Sequence, residues 1–112
     1  MKKFLLLEDD AKKEILNYMP SKSALEKLAD YFQNFSDYTR VKIISCLSMR
    51  DMCVNDLSVI LDINQTTLSH QLKLLKDKGI VSSMREGKII MYKLENKQVN
   101  NIMLNAVNAI AK

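Results

Sequence analysis

The stretch NQTTLSHQLKLLKDK, residues 64–78, followed by Gly79 and by two β-type runs about Glu86-Gly87, decides the fold. Leu68, Leu72 and Leu75 recur at i, i+4 and i+7, the spacing that lays one apolar helix face on a core. The opposite face is left to Gln65, Thr66, Ser69, His70 and Lys73: an amide, short hydroxyls, an imidazole and one cation. Such groups hydrogen-bond base edges or phosphates without a bulky stem blocking entry to a major groove.

Working outward, Gly79 supplies a helix stop. From Ile80 to Met84 and from Ile89 to Leu94 the period changes from helical to strand-like, which predicts a hairpin, or wing, turning at Glu86-Gly87. Upstream, Asn55 is placed to cap a helix with Asp56 in its first turn and with Leu57, Ile60 and Leu61 as its inner stripe. Only Asp62, Ile63 and Asn64 separate that helix from the one after it, the tight connection of a helix-turn-helix. An extended link through Asp51, Met52 and Cys53 precedes it.

Three more helices lead in. One covers about Glu8 to Tyr18 and stops before Pro20, because the residue preceding a proline is pushed out of the α region. A second starts at the Ser23-x-x-Glu26 capping box and carries Leu25, Leu28, Ala29 and Phe32 to about Asn34. A third, capped by Ser36 or Asp37, buries Val41, Ile43, Ile44 and Leu47 and exposes Arg40 and Lys42. The last helix, about Lys97 to Ala111, places Val99, Ile102, Met103, Ala106 and Ile110 on one stripe. On a terminal helix with little left to cover, that stripe predicts a dimer face, packed against the first helix across a two-fold axis. The expected architecture is mainly α with a small β-hairpin, a winged helix-turn-helix in the order α-α-α-α-α-β-β-α. It forms one domain over residues 1–112 with dimerisation helices at both ends.

Composition narrows the partners. The net charge of +4 comes from seventeen Lys and Arg against thirteen acids, a mild excess that suits a polyanion. Its placement says more. Acids cluster at Glu8, Asp9 and Asp10, whereas Lys73, Lys76, Lys78, Arg85, Lys88 and Lys93 stand against only Asp77 and Glu86 on the expected recognition helix and wing. The opening MKKFLLL has too short an apolar run for a signal peptide, which needs about 7 to 15 residues. No apolar stretch approaches the roughly 20 residues that span a bilayer. With two cysteines and no export signal, a cytoplasmic protein is expected.

The stretch SDYTRVKIISCLSMRDMCVNDLSVILDINQTTLSHQLKLLKDKGIVSSMREGKIIMYKL, residues 36–94, resembles the ArsR/SmtB family of bacterial winged-helix repressors. The resemblance rests on a combination: the T-R-x-x-I start, a C-V-x-D-L segment, the T-x-S-H-Q-L-x-x-L helix, K-x-G-I-V and the R-E-G-K wing tip. It implies a homodimer that binds double-stranded DNA at an inverted-repeat operator and is released by an effector or a thiol change. It also implies DNA contacts at Gln65, Thr67, Ser69 and His70, and wing contacts to phosphate at Arg85 and Lys88. Asn64 and Thr66 complete the candidate DNA-binding set with Lys73. On a helical wheel Thr67 lies nearer the buried side than its neighbours.

The family's metal sites do not carry over. Its thiolate site uses a C-V-C-D-L-C arrangement, because soft cations need two or three thiolates at one point. This chain has Cys53, Val54, Asn55, Asp56, Leu57 and Ser58 there, and its first twenty residues hold no Cys or His. The family's second site, on the last helix, maps to Asn96, Gln98, Ala109 and Lys112, which cannot hold zinc. No metal and no cofactor is expected. As the only histidine, His70 reads as a donor to base or phosphate rather than a ligand.

Cys46 reads as a small core residue, while Cys53, beside a helix N-terminus that lowers a thiol pKa, reads as the more reactive of the two. Hence one alternative is a thiol-based redox-sensing repressor using Cys53 with Cys46. Another is a winged helix that docks a protein instead of DNA. The seven methionines read as core and interface filler, and Asn100, Asn101, Asn105 and Asn108 as a solvated helix face. An enzyme is not expected: there is one histidine, no glycine-rich phosphate loop and no nucleophile beside a base.

Overall fold

The computed structural model describes residues 6–96 and 98–110. Its elements are α1 (Asp9–Tyr18), α2 (Lys22–Gln33), α3 (Tyr38–Met49), β1 (Met52–Cys53), α4 (Val54–Leu61), α5 (Gln65–Asp77), β2 (Val81–Glu86), β3 (Ile89–Leu94) and α6 (Gln98–Ile110). The expected order holds with one addition. The extended link at Met52 and Cys53 is a strand, paired antiparallel with β3 as Met52 to Tyr92 and Cys53 to Met91. The sheet order is therefore β1-β3-β2.

Contacts cluster into two compact units, one up to Phe32 and one from Gln33 onward. In the first, α1 ends as Pro20 requires: Met19 leaves the helix with ψ 134° while its N–H still reaches the Ile15 carbonyl at 3.0 Å. The start of α2 differs from expectation. Ser21 Oγ accepts from Ala24 N at 3.1 Å, so Ser21 caps the helix and Ser23 lies inside it. A cap must precede the first helical turn, and Lys22 already belongs to that turn. Neither helix carries a buried residue in the single chain.

The second unit holds the core. Asp37 Oδ2 accepts from Arg40 N at 3.0 Å and caps α3, which then buries Ile43, Ile44, Cys46 and Leu47. Val41 is only half-buried. These side chains meet Leu57 of α4, Leu68, Leu72 and Leu75 of α5, Val81 and Leu94 of the hairpin, and Val99 of α6 in one buried set. Fully burying each Leu or Ile contributes about 1.5 to 3 kcal/mol, so the three leucines of α5 fix which way that helix faces. Arg40 and Lys42, expected in solvent, are half-buried. Arg40 Nε donates to Gln71 Oε1 at 3.0 Å, and Lys42 Nζ donates to the Leu61 carbonyl at 3.1 Å while lying 5.3 Å from the Tyr38 ring centroid.

Three further details depart from the sequence reading. Asn55 does not cap α4. Cys53, held extended in β1, occupies the N-cap position without a side-chain cap bond, and Asn55 is the second residue of the helix. The inner stripe of α4 reduces to Leu57, since Ile60 is 60% exposed and Leu61 half-buried. The hairpin turns one residue later than expected: Glu86 pairs with Ile89, leaving Gly87 and Lys88 as the two-residue loop. Gly87, at φ 62°, takes the first loop position, where a left-handed backbone matches the strand twist.

On α6 only Val99 of the expected stripe is buried; Met103 is half-buried, and Ile102, Ala106 and Ile110 are exposed. Its expected first and last residues, Lys97 and Ala111, lie outside the described residues, as do the first five residues of the MKKFLLL opening. No described helix is long and apolar enough to cross a membrane.

Candidate nucleic-acid interface

α5 is fixed at both ends by local chemistry. At its start Asn64 Oδ1 accepts from Thr66 N at 2.7 Å and Thr67 N at 3.3 Å, satisfying two otherwise orphaned amides. At its end Gly79, at φ 75°, donates to the Lys76 carbonyl at 3.0 Å, and Ile80 N reaches the Leu75 carbonyl at 2.9 Å. That pair of bonds is a Schellman motif, closed by the buried Leu75 and Ile80 side chains.

The turn before α5 is held just as firmly. Asp62 adopts the left-handed conformation at φ 53° and ψ 51°. Ile63 N donates to the Ser58 carbonyl at 3.1 Å, and Ser58 Oγ donates to the Ile63 carbonyl at 2.6 Å. Lys42 places its cation on the Leu61 carbonyl at the C-terminal end of α4, where the helix dipole favours positive charge. The angle between α4 and α5 is thus set by side chains from α3 and α4 as well as by the turn.

With Leu68, Leu72 and Leu75 buried, the residues Gln65, Thr66, Thr67, Ser69, His70 and Lys73 are all exposed. Thr67, nearer the buried side than its neighbours on a helical wheel, lies in solvent. Asn64 is exposed but its Oδ1 is engaged as the cap. Gln71, between the two faces, is half-buried and held by Arg40.

The wing stands beside this face. Arg85 and Lys88 are exposed, on β2 and in the β2–β3 turn respectively. Lys76, in the last turn of α5, donates from Nζ to Ser83 Oγ at 2.7 Å. Since strand residues two apart point to the same side, Arg85 shares the sheet face that meets α5. The structure therefore brings Gln65, Thr66, Thr67, Ser69, His70 and Lys73 onto one helix and keeps the wing cation Arg85 on the sheet face turned to it. A helix about 10 to 12 Å across fits the major groove, and a flanking hairpin with cations fits the adjacent backbone.

Sequence reasoning missed three contributors: Asn55, whose Oδ1 accepts from Gln65 Nε2 at 3.1 Å, Arg40 on Gln71, and Lys76 on Ser83. Only the Lys76 bond had an available signal, a cation seven residues before a hydroxyl across a glycine stop. The other two join residues on separate helices.

Cys46 and Cys53 are both buried as free thiols. Cys46 Sγ lies 3.5 Å from Met52 Sδ, and burial pushes its thiol above the ordinary range. The positions that would carry the other two thiolates of a soft-metal site are Asn55, bonded to Gln65, and Ser58, bonded to Ile63. Among the described residues no three His, Cys, Asp or Glu side chains converge as a metal cluster would require.

Residues 37–83, from the cap of α3 into β2, match the model of the bacterial regulatory proteins of the arsR family. A cadmium resistance transcriptional regulatory protein CadC homolog of Staphylococcus aureus is 36% identical over 97 residues, 86% of this chain and 76% of that protein. The transcriptional repressor SdpR of Bacillus subtilis is 35% identical over 80 residues, 69% of this chain and 89% of that protein. In structure, the homodimeric winged helix-turn-helix DNA-binding domain of Mb0332 from Mycobacterium bovis matches with a TM-score of 0.69 at 25% identity, covering 82% of this chain and 89% of that one. A helix-turn-helix with an exposed polar face, a braced wing and relatives of this kind place the chain in the arsR family of DNA-binding transcriptional regulators.

Proposed function

We propose that the chain acts as a homodimeric repressor that reads an inverted-repeat operator. Gln65, Thr66, Thr67, Ser69 and His70 would contact base edges or flanking phosphates, with Asn64 at the helix entry. Lys73, Arg85 and Lys88 would neutralise backbone phosphates. The observation that carries this reading is the exposed polar face of α5 beside a wing held by the Lys76–Ser83 bond. A second copy has a place to bind: α6 exposes Ile102, Leu104, Val107 and Ile110, more apolar side chain than one short helix normally leaves in water. Two-fold pairing through that face would present two copies of α5 to two half-sites, about 34 to 36 Å apart on successive turns of DNA.

In this reading the repressor does not sense a soft metal at the turn, although a relative is named for cadmium resistance. Cys53 is the only thiol among positions 53, 55 and 58, and the other two side chains are occupied in bracing the turn. That donor set does not fit a soft cation, which needs converging thiolates. Nor do the residues favour Cys46 as a switch, since a buried thiol with a raised pKa is a poor nucleophile.

Fluorescence anisotropy with the duplex upstream of the chain's own gene, titrated across a salt series, tests the reading. Binding should weaken steeply with salt, with two chains per duplex, and Gln65→Ala should lose base preference at one position in each half-site. Salt-independent association would favour docking on a protein. An unchanged base preference in Gln65→Ala would remove the assigned role of that residue.

A further inference from the structure

Gln65 is the first residue of α5 and Asn55 the second of α4, on two helices joined by a turn whose geometry the Ser58–Ile63 bonds hold. Gln65 Nε2 donates to Asn55 Oδ1 at 3.1 Å, and both side chains are exposed. A primary amide has two N–H groups and one acceptor oxygen. With one N–H taken by Asn55, the second N–H and Oε1 remain, and these are the donor and acceptor that match N7 and N6 of adenine in the major groove. An unbraced glutamine loses rotamer freedom when it docks on a base, which weakens the contact; a glutamine already held loses less.

We infer that Asn55 is a positioning residue for base readout: its Oδ1 holds the Gln65 amide in the orientation that selects adenine at the base pair beneath it. The inference rests on the proposed role of Gln65 as a base contact. It also accounts for what stands at position 55. Where the resemblance to the family places a metal thiolate, this chain has an amide bonded to the first residue of α5.

The test begins with selection of bound duplexes from a random pool by the wild-type protein. The selected duplex and its single-base variants are then titrated by anisotropy with wild type, Asn55→Ala, Asn55→Asp, Gln65→Ala and the double alanine variant. Asn55→Ala should lose roughly three- to tenfold of discrimination, at the same base pair affected by Gln65→Ala, with an unchanged melting temperature. The double variant should behave as Gln65→Ala alone. Asn55→Asp keeps the acceptor oxygen, so it should retain the base preference while binding every duplex more weakly, because its carboxylate repels phosphate. Unchanged discrimination in Asn55→Ala, a loss spread evenly over many positions, or an Asn55→Asp variant as unselective as alanine would each overturn the inference while leaving the role of Gln65 intact. A wild type that selects no sequence, or a Gln65→Ala variant with wild-type preference, would overturn the base-contact reading and this inference with it.

Discussion

Lys76 Nζ donates to Ser83 Oγ at 2.7 Å, so the last turn of α5 holds the first strand of the wing. The two elements are separated in sequence by the Gly79 reversal, and this bond spans it, adding a side-chain link to the backbone bonds that close the helix end. In the proposed function, a wing held at a fixed angle would present Arg85 and Lys88 to the DNA backbone with less ordering cost on binding.

Ser83→Ala should therefore act on binding and hardly on folding. The bond lies at the surface, so stability should change by less than about 0.5 kcal/mol. Affinity for the duplex should fall about threefold with the salt dependence unchanged, since no cation is lost. Thermal melting and a salt series of anisotropy titrations check the two halves.

Asn64→Ala removes the acceptor of two helix-start amides and should cost about 1 kcal/mol. For a domain of this size that lowers the melting temperature by about 4 to 8 °C. Asn64→Asp keeps the acceptor and should melt like wild type, yet bind DNA more weakly. Melting curves of the two variants separate the cap from any contact with DNA.

Leu72 is buried under α5 while its neighbour Lys73 is exposed. Leu72→Ala opens a cavity under α5 where the side chain is fully buried, and should cost about 2 to 5 kcal/mol, a large part of a small domain's stability. Lys73→Ala should leave stability within about 0.5 kcal/mol and reduce the slope of log affinity against log salt by about 1 per chain, hence about 2 for a bound dimer. Urea denaturation and the anisotropy salt series measure each.

Burial raises the Cys46 thiol pKa in the folded chain above its unfolded value. The unfolded chain then gives up that proton first as pH rises, and binds fewer protons than the folded one. Stability from this group is fully present below the unfolded thiol's range of about 8.5 and is lost as pH climbs through the higher folded value. Urea unfolding at pH 7 and pH 10 should show that loss in wild type and a smaller one in Cys46→Ala. Cys46 should also be slow to alkylate at neutral pH until the chain is unfolded.

Much of the candidate interface was legible because its exposure is set locally. The Leu68, Leu72 and Leu75 spacing sets the inner face of α5, and with it which of its residues reach solvent; Thr67, nearer the buried side on a helical wheel, is exposed like its neighbours. The Gly79 signal acts within a few residues and was read correctly, and of the two caps left open for α3, Ser36 and Asp37, the structure uses Asp37. Ser23 and Asn55 failed as caps for one shared reason. Each sat near a helix start, but a different neighbour, Ser21 or the strand residue Cys53, already held the cap position.

Periodicity and helix-end chemistry within the sequence thus determined the elements, the face of α5 that is left in solvent and the reversal at Gly79, because each depends on residues within one or two turns of one another. Tertiary structure alone decided what those elements are held by. It made a strand of Met52 and Cys53 by giving them Tyr92 and Met91 as partners, turned Arg40 and Lys42 inward onto Gln71 and the Leu61 carbonyl, and set Asn55 against Gln65. Those bonds join residues distant along the chain or on separate helices, and a hydrogen bond a few ångströms long is specified only once packing has brought its two ends together.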